Sequence, residues 1–395
     1  MNRTKTIIKW LLISIIIGLV GGLVGTAFHV SVDFVTELRG ENGWLVYFLP
    51  LGGLLIAFLY KASKSETEMD TNRVIKAVKS DMDVPLRMMP LIFSGTVITH
   101  LFGGSAGREG AALQLGGSIG YNISKAVKID KSSTHIAVMA GMSAVFSALF
   151  GTPVAASIFS FEVARVRLRN YYEIIPCLIS ALLARQVAAL FKVAPIRFTN
   201  VVFPEFDLFI ILKITLMAIV CGVVAFGFCF ILHKSEHFAK KLLPNIYLRA
   251  VTGGVLIALL TFLLKSYDYN GAGMNIITNA INGNAISYAF LLKILFTAIT
   301  VSCGFKGGEI VPAFFIGSTL GCVVAPLLGL SPSLGACIGF VSLFCGAVNC
   351  PVASILLAVE IFGGKGLIFF VITCIISYIC SGNISLYKDQ GKYSL

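Results

Sequence analysis

The chain has 395 residues, of which 57% are hydrophobic and 13% charged, and its 31 Lys and Arg against 19 Asp and Glu give a net charge of +12. Soluble domains carry about 25% charged residues, so a soluble enzyme or binding module is excluded. The basic excess reads as Lys and Arg on the cytoplasmic loops of a membrane protein, not as a nucleic-acid footprint.

The first apolar run, 7–28, is too long for a signal-peptide core and has no convincing cleavage site, so it is read as a retained helix. The basic residues Arg3, Lys5 and Lys9 around its start favour a cytoplasmic N-terminus. Further apolar runs follow at 44–60, 88–102, 111–123, 135–149, 153–161, 174–190, 208–232, 248–264, 288–302, 311–328, 334–348, 352–362 and 367–379. The polar stretch 61–83 between the second and third reads as a loop. Several runs fall well short of the roughly 20 residues that cross a hydrocarbon core, so they read as tilted or half-crossing helices. The expected fold is an all-α polytopic membrane protein forming a single transport domain over 1–395, with no soluble regulatory domain. The ten Cys lie mostly in apolar runs and form no Cys-x-x-Cys pair, and the five His are scattered singly. No metal or other cofactor is expected.

Two polar, glycine-rich breaks interrupt this apolar sequence. The first is Gly103-Gly104-Ser105-Ala106-Gly107-Arg108-Glu109-Gly110, and the second is Gly304-Phe305-Lys306-Gly307-Gly308-Glu309-Ile310-Val311-Pro312. Charge and open backbone at membrane depth survive only where protein or a water-filled cavity covers them. Landmarks around the breaks recur in order. Glu109 is followed by Gly116 and Gly120, and Glu309 by Gly317 and Gly321. Pro153 precedes Glu162 by nine residues, as Pro351 precedes Glu360. An internal repeat is therefore expected, with halves 7–190 and 208–390, the second including the terminal helix. Periodicity does not settle whether the halves are parallel or inverted.

Each break leads into a helix N-terminus, where unpaired amides and aligned peptide dipoles attract an anion. Candidate backbone or loop groups are Gly107, Arg108 and Gly110 in the first break, and Gly308, Ile310 and Val311 in the second. Glu109 would compete with a halide while ionised and leave when protonated, which couples a proton to an anion. The alternative is that Glu109 caps the helix and pairs with Arg108. Glu309 is a second acid that carries protons, binds the anion when protonated or caps its helix. Arg108 and Lys306 balance charge or face an aqueous mouth. The hydroxyl of Tyr387 donates to an anion or, alternatively, anchors at the membrane interface.

Gly107-Arg108-Glu109-Gly110, the segment Gly308 to Pro312, the Pro153 and Pro351 segments and Tyr387 together resemble the CLC family of chloride channels and proton-coupled anion antiporters, over essentially the whole chain. That resemblance implies an inverted repeat of tilted and broken helices and a homodimer with one pathway per subunit. It implies that Glu109 is the gating glutamate and Tyr387 the central tyrosine. Two departures resemble the bacterial fluoride/proton antiporter branch. The anion-binding serine loop of chloride members is replaced near Met69, Asp70, Thr71 and Asn72, and Val163 stands where chloride exchangers carry an internal proton-transfer glutamate. The loop Gly304-Phe305-Lys306-Gly307-Gly308-Glu309 belongs to the same pattern. By resemblance Met69 lies near the ion path, with Thr71 and Asn72 as alternative polar contacts, and Phe93 and Phe296 are candidate ring contacts. The expectation is a bacterial plasma-membrane antiporter exporting fluoride as protons move inward, with lipid and a second copy as partners. A chloride-selective channel or exchanger is the alternative. An anion-sensing receptor or a membrane enzyme fits less well, because no catalytic constellation stands out.

Overall fold

A computed structural model describes residues 3–64, 70–80, 82–166 and 171–390. Its described residues are helical throughout, with no β-strand and one isolated antiparallel bridge. The first half contains α1 (Arg3–Glu41), α2 (Leu49–Ala62), α3 (Thr71–Lys79), α4 (Met88–Leu101), α5 (Glu109–Ala126), α6 (Lys131–Phe150), α7 (Pro153–Ala164) and α8 (Ile174–Leu190). The second contains α9 (Leu208–Leu242), α10 (Ile246–Leu264), α11 (Met274–Ile281), α12 (Ala289–Ser302), α13 (Ile310–Val324), α14 (Pro332–Val348), α15 (Pro351–Phe362) and α16 (Leu367–Ser381).

The order of lengths repeats. The longest helices are α1 with 39 residues and α9 with 35. The short helices α3 and α11 have 9 and 8, α4 and α12 have 14 each, and α7 and α15 have 12 each. Among the described residues seven stretches are long and apolar enough to cross a membrane, including Lys131–Phe150 and Leu208–Leu242. The chain is a multi-pass membrane protein. Leu, Ile and Phe side chains stand exposed along α1, α9 and α10, for example Leu23, Phe209 and Leu263, as a lipid solvent permits.

The recurring glycines mark close helix crossings. A Cβ on Gly116 would lie 2.2 Å from the Gly141 carbonyl, and one on Gly317 would lie 2.2 Å from the Gly339 carbonyl. So α5 packs on α6, and α13 on α14, with backbones in near contact. The recurring Pro and Glu have an equally local cause. Glu162, near the C-terminal end of α7, accepts hydrogen bonds from Val352 N at 3.1 Å and Ala353 N at 2.6 Å, in the first turn of α15. Glu360, near the C-terminal end of α15, accepts from Val154 N at 3.2 Å and Ala155 N at 2.8 Å, in the first turn of α7. Each helix thus caps the other, which requires that the two run antiparallel and that the halves be inverted.

The stretch 61–83 is not simply a loop. Asp70 accepts from Arg73 N at 3.1 Å and starts α3. Val74, Ile75, Ala77 and Val78 then bury one face of it. At the other end α16 stops at Ser381, and the terminal segment is a turn closed by a short 3-10 helix, Lys388–Gln390.

Candidate anion and proton site

The two breaks meet. Gly107 N donates to Gly308 O at 2.6 Å and Gly308 N donates to Gly107 O at 2.7 Å, closing the antiparallel bridge. Only glycine fits there: a Cβ on Gly308 would lie 2.4 Å from Gly110 N, and a Cβ on Gly107 2.3 Å from Glu109 Oε2. The bridge sets the N-terminus of α5 against that of α13.

Glu109 is wholly buried at this junction. Its Oε2 accepts from Val311 N at 3.3 Å, and its Oε1 has no protein partner. A carboxylate therefore lies on the first-turn amides of α13, the position that dipoles and unpaired N–H groups make attractive to an anion. Glu109 does cap a helix, but it is the helix of the opposite half, and the Arg108 guanidinium makes its ion pair elsewhere. Arg108 Nη1 lies 2.7 Å from Asp33 Oδ1 on α1, and the second oxygen of Asp33 lies 3.0 Å from His29 Nε2.

Beside the bridge opens a cavity of about 210 Å³ lined by Thr71, Asn72, Gln114, Lys306, Glu309 and Tyr387, among others. Glu109 is not in its lining. Thr71 begins α3; its hydroxyl donates to Gly110 O at 3.3 Å and accepts from Gln114 Nε2 at 3.1 Å. Tyr387 is 4% exposed, and its hydroxyl has no protein partner. It is held in place by Leu386 N donating to Ala347 O at 2.8 Å and Gln390 N to Tyr387 O at 3.2 Å. The start of α3, Gln114 of α5, the N-cap of α13 and Tyr387 thus share one volume. Lys306 stacks its ammonium over the Tyr60 ring at 4.1 Å and makes no ion pair among the described residues.

Three carboxylates line this cavity: Asp70, Glu236 and Glu309. Asp70 caps α3. Glu236 is bridged by Lys240 at 2.5 Å and by Lys388. Glu309 stands at the N-cap position of α13 and makes no side-chain cap bond. Val163 is fully buried and apolar, and neighbouring Glu162 is committed to the amides of α15. Glu309 is therefore the acid best placed to exchange a proton with the cavity.

Not every candidate joins this group. Met69 lies outside the described residues. Phe93 on α4 packs against Phe28 of α1, ring centroids 5.3 Å apart. Phe296 on α12 is fully buried against Tyr269 at 5.6 Å. Neither ring lines the cavity. Gln114, Tyr60 and Glu236 were not singled out by sequence. Gln114 carried one legible signal, an amide in the apolar run 111–123, five residues after Glu109.

The model of the family described as voltage gated chloride channel matches residues 52–382. The chain is 34% identical to the "Chloride/fluoride channel protein" of Pseudomonas syringae pv. tomato, over 97% of this chain and 86% of that protein. It is 26% identical to the "H(+)/Cl(-) exchange transporter ClcA" of Vibrio cholerae, over 91% of this chain and 83% of that one. Among solved structures it superposes on a CLC-type fluoride/proton antiporter with a TM-score of 0.92 and 32% identity, covering 99% of both chains. A slow cyanobacterial Cl-/H+ antiporter gives 0.83 at 21% identity over 94% of each chain, a likeness of fold.

Proposed function

Because this chain belongs to the voltage gated chloride channel family, we propose that it exchanges fluoride for protons across a bacterial cell membrane, exporting fluoride as protons move inward. The observation that carries this reading is the Glu109 carboxylate resting on the Val311 amide. Ionised, it holds the anion site of α13 against other anions. Protonated, it loses the charge that the helix end attracts, and a fluoride ion takes its position on the amides. The same position thus serves a proton carrier and an anion in turn, which is coupling by competition.

Tyr387, whose hydroxyl lacks a protein partner, donates to the anion from the cavity side. Thr71, bonded to Gly110 O and Gln114, ties the start of α3 to α5 beside the site, and the α13 amides of Ile310 and Val311 complete the shell. Glu309 relays the proton between Glu109 and the cavity. Phe93 and Phe296 are left out, since each packs elsewhere. The choice of fluoride rests on the likeness to a chloride/fluoride channel protein at 34% identity and to a fluoride/proton antiporter at 32%. It also suits a site built from small donors, because a compact, strongly hydrated ion needs close hydrogen bonds to replace its water. The halves 7–190 and 208–390 act as the two sides of one pathway, the N-terminus faces the cytoplasm, and two copies associate, each with its own pathway.

Purified protein in fluoride-loaded liposomes tests this. Fluoride efflux should drive proton uptake, and Glu109→Gln should abolish that uptake, leaving no transport or an uncoupled fluoride leak. Fluoride efflux with no proton movement in the unmodified protein makes it a channel. Chloride efflux equal to or above that of fluoride makes it a chloride-selective member.

A further inference from the structure

A second cavity, of about 700 Å³, lies away from the ion site. It brings Lys79, at the end of α3, to a basic stretch of the sequence that supplies Lys125 in the last turn of α5, Lys128 in the following turn, Lys131 at the start of α6, and His135. Ser132, Thr134 and Tyr121 add hydroxyls. A volume of this order lies within the roughly 300–1,000 Å³ range of small-molecule sites. The bias of Lys and Arg toward cytoplasmic loops accounts for their number. It does not account for their convergence on one concavity.

Two acids nearby face bases of this group, and a third, Asp130, lies between Ile129 and Lys131 at the start of α6. Asp83, in the lining, accepts from Tyr121 and lies 3.0 Å from Lys125 Nζ. Those two bonds, Tyr121 first, hold its carboxyl below the usual range, so it stays charged and neutralises Lys125. Glu173 Oε2 lies 3.7 Å from His135 Nε2. Lys79 donates to Gln390 O at 2.6 Å. Lys128 and Lys131 make no ion pair among the described residues.

We propose that this cavity binds a phosphate-bearing anion, held by Lys128 and Lys131 with Ser132 donating to its oxygens. Multiple ammonium and hydroxyl donors around an oxyanion give the charge-assisted bonds that phosphate recognition uses. The space exceeds what an inorganic phosphate needs, so the phosphate carries a further group. It comes either from a soluble compound or from the headgroup of an anionic lipid. The site is walled by the far ends of α3 and α5, whose starts hold Thr71 and Glu109. Through Lys79 it also touches Gln390, three residues beyond Tyr387. A ligand here bears on elements that form the ion site without entering it.

The test is thermal unfolding of the full chain in neutral detergent, so it does not depend on what the protein transports. One arm compares sodium pyrophosphate with sodium chloride at equal ionic strength. The other compares added phosphatidylglycerol with phosphatidylcholine. The expected result is a rise in Tm of about 3–6 °C in at least one arm, as saturating binding to the folded state gives. The rise should disappear in Lys128→Gln/Lys131→Gln, shrink in each single variant, and persist in Lys234→Gln/Lys241→Gln, which neutralises basic residues elsewhere. A rise with pyrophosphate alone identifies a soluble phosphate compound, and one with phosphatidylglycerol alone identifies a lipid headgroup. No rise in either arm overturns the proposal. So does a rise that survives Lys128→Gln/Lys131→Gln, or one lost equally from Lys234→Gln/Lys241→Gln.

Discussion

Tyr387 and Glu109 each leave one polar oxygen without a protein partner at near-zero exposure. Buried polar groups are mostly bonded, and under the proposed function these two atoms are the ones a transported ion or proton would satisfy. Tyr387→Phe keeps the ring and removes only the hydroxyl. A hydrogen bond to a charged partner contributes about 1.5–3 kcal/mol, equivalent to roughly a 10- to 100-fold change in affinity. The fluoride concentration giving half-maximal efflux should rise by that factor while protons moved per fluoride stay constant. An unchanged half-saturation would remove Tyr387 from the path. Glu109 was legible in sequence because a carboxylate at membrane depth has few structural uses, whereas Tyr387 stood out only through the family resemblance, since a lone Tyr also reads as an interfacial anchor. Phe93 and Phe296 were not legible, because 30 Phe populate an apolar chain and nothing local separates a path ring from a packing ring.

The apolar runs of the sequence correspond to α-helices, since membrane solvent makes hydrophobicity itself the signal. The short helices α3 and α11 escaped that signal, being 9 and 8 residues long. For α3 the readable cue was different: Asp70 as N-cap, then Val74, Ile75, Ala77 and Val78 on one face. The recurring Pro and Glu landmarks were visible, but not what they do. A spacing of nine residues shows nothing of the partner helix, and the reciprocal capping of α7 and α15 exists only once the halves are inverted. Each carboxylate accepts two amide hydrogens at the other helix's start. Glu162→Gln and Glu360→Gln should therefore each destabilise the protein by about 1–2 kcal/mol, read as a lower Tm. The two caps sit at opposite ends of 12-residue helices, roughly 18 Å apart at 1.5 Å per residue, so the double variant should show the sum. Protons moved per fluoride should not change. If Glu162→Gln loses coupling with stability intact, Glu162 is a proton relay and not a cap.

At the scale of the molecule, α7 and α15 pose a problem that a single copy does not solve. Twelve residues span about 18 Å, well short of the roughly 30 Å hydrocarbon core. Both helices nevertheless reach the periphery, with Val154 42% and Val352 52% exposed beside the capped amides. The half-buried carboxylates of Glu162 and Glu360 lie next to them. Lipid against that face would meet carboxylates and helix starts at depth, an arrangement the hydrocarbon penalises by several kcal/mol. Ile175 and Leu182 on α8, and Leu367, Ile368, Ile375 and Ile379 on α16, extend the exposed apolar surface around the pair. A second copy covering α7, α8, α15 and α16 resolves the mismatch, so the detergent-solubilised protein should have the mass of two chains. A bulky Val352→Trp change on that face should shift it toward one chain. Glu109, Glu309 and Tyr387 come from the same chain, so the separated monomer should keep both its fluoride flux per chain and its proton coupling. A single-chain mass for the unmodified protein would rule out the dimer. A Val352→Trp monomer that folds but carries no fluoride would show instead that the pathway depends on the partner.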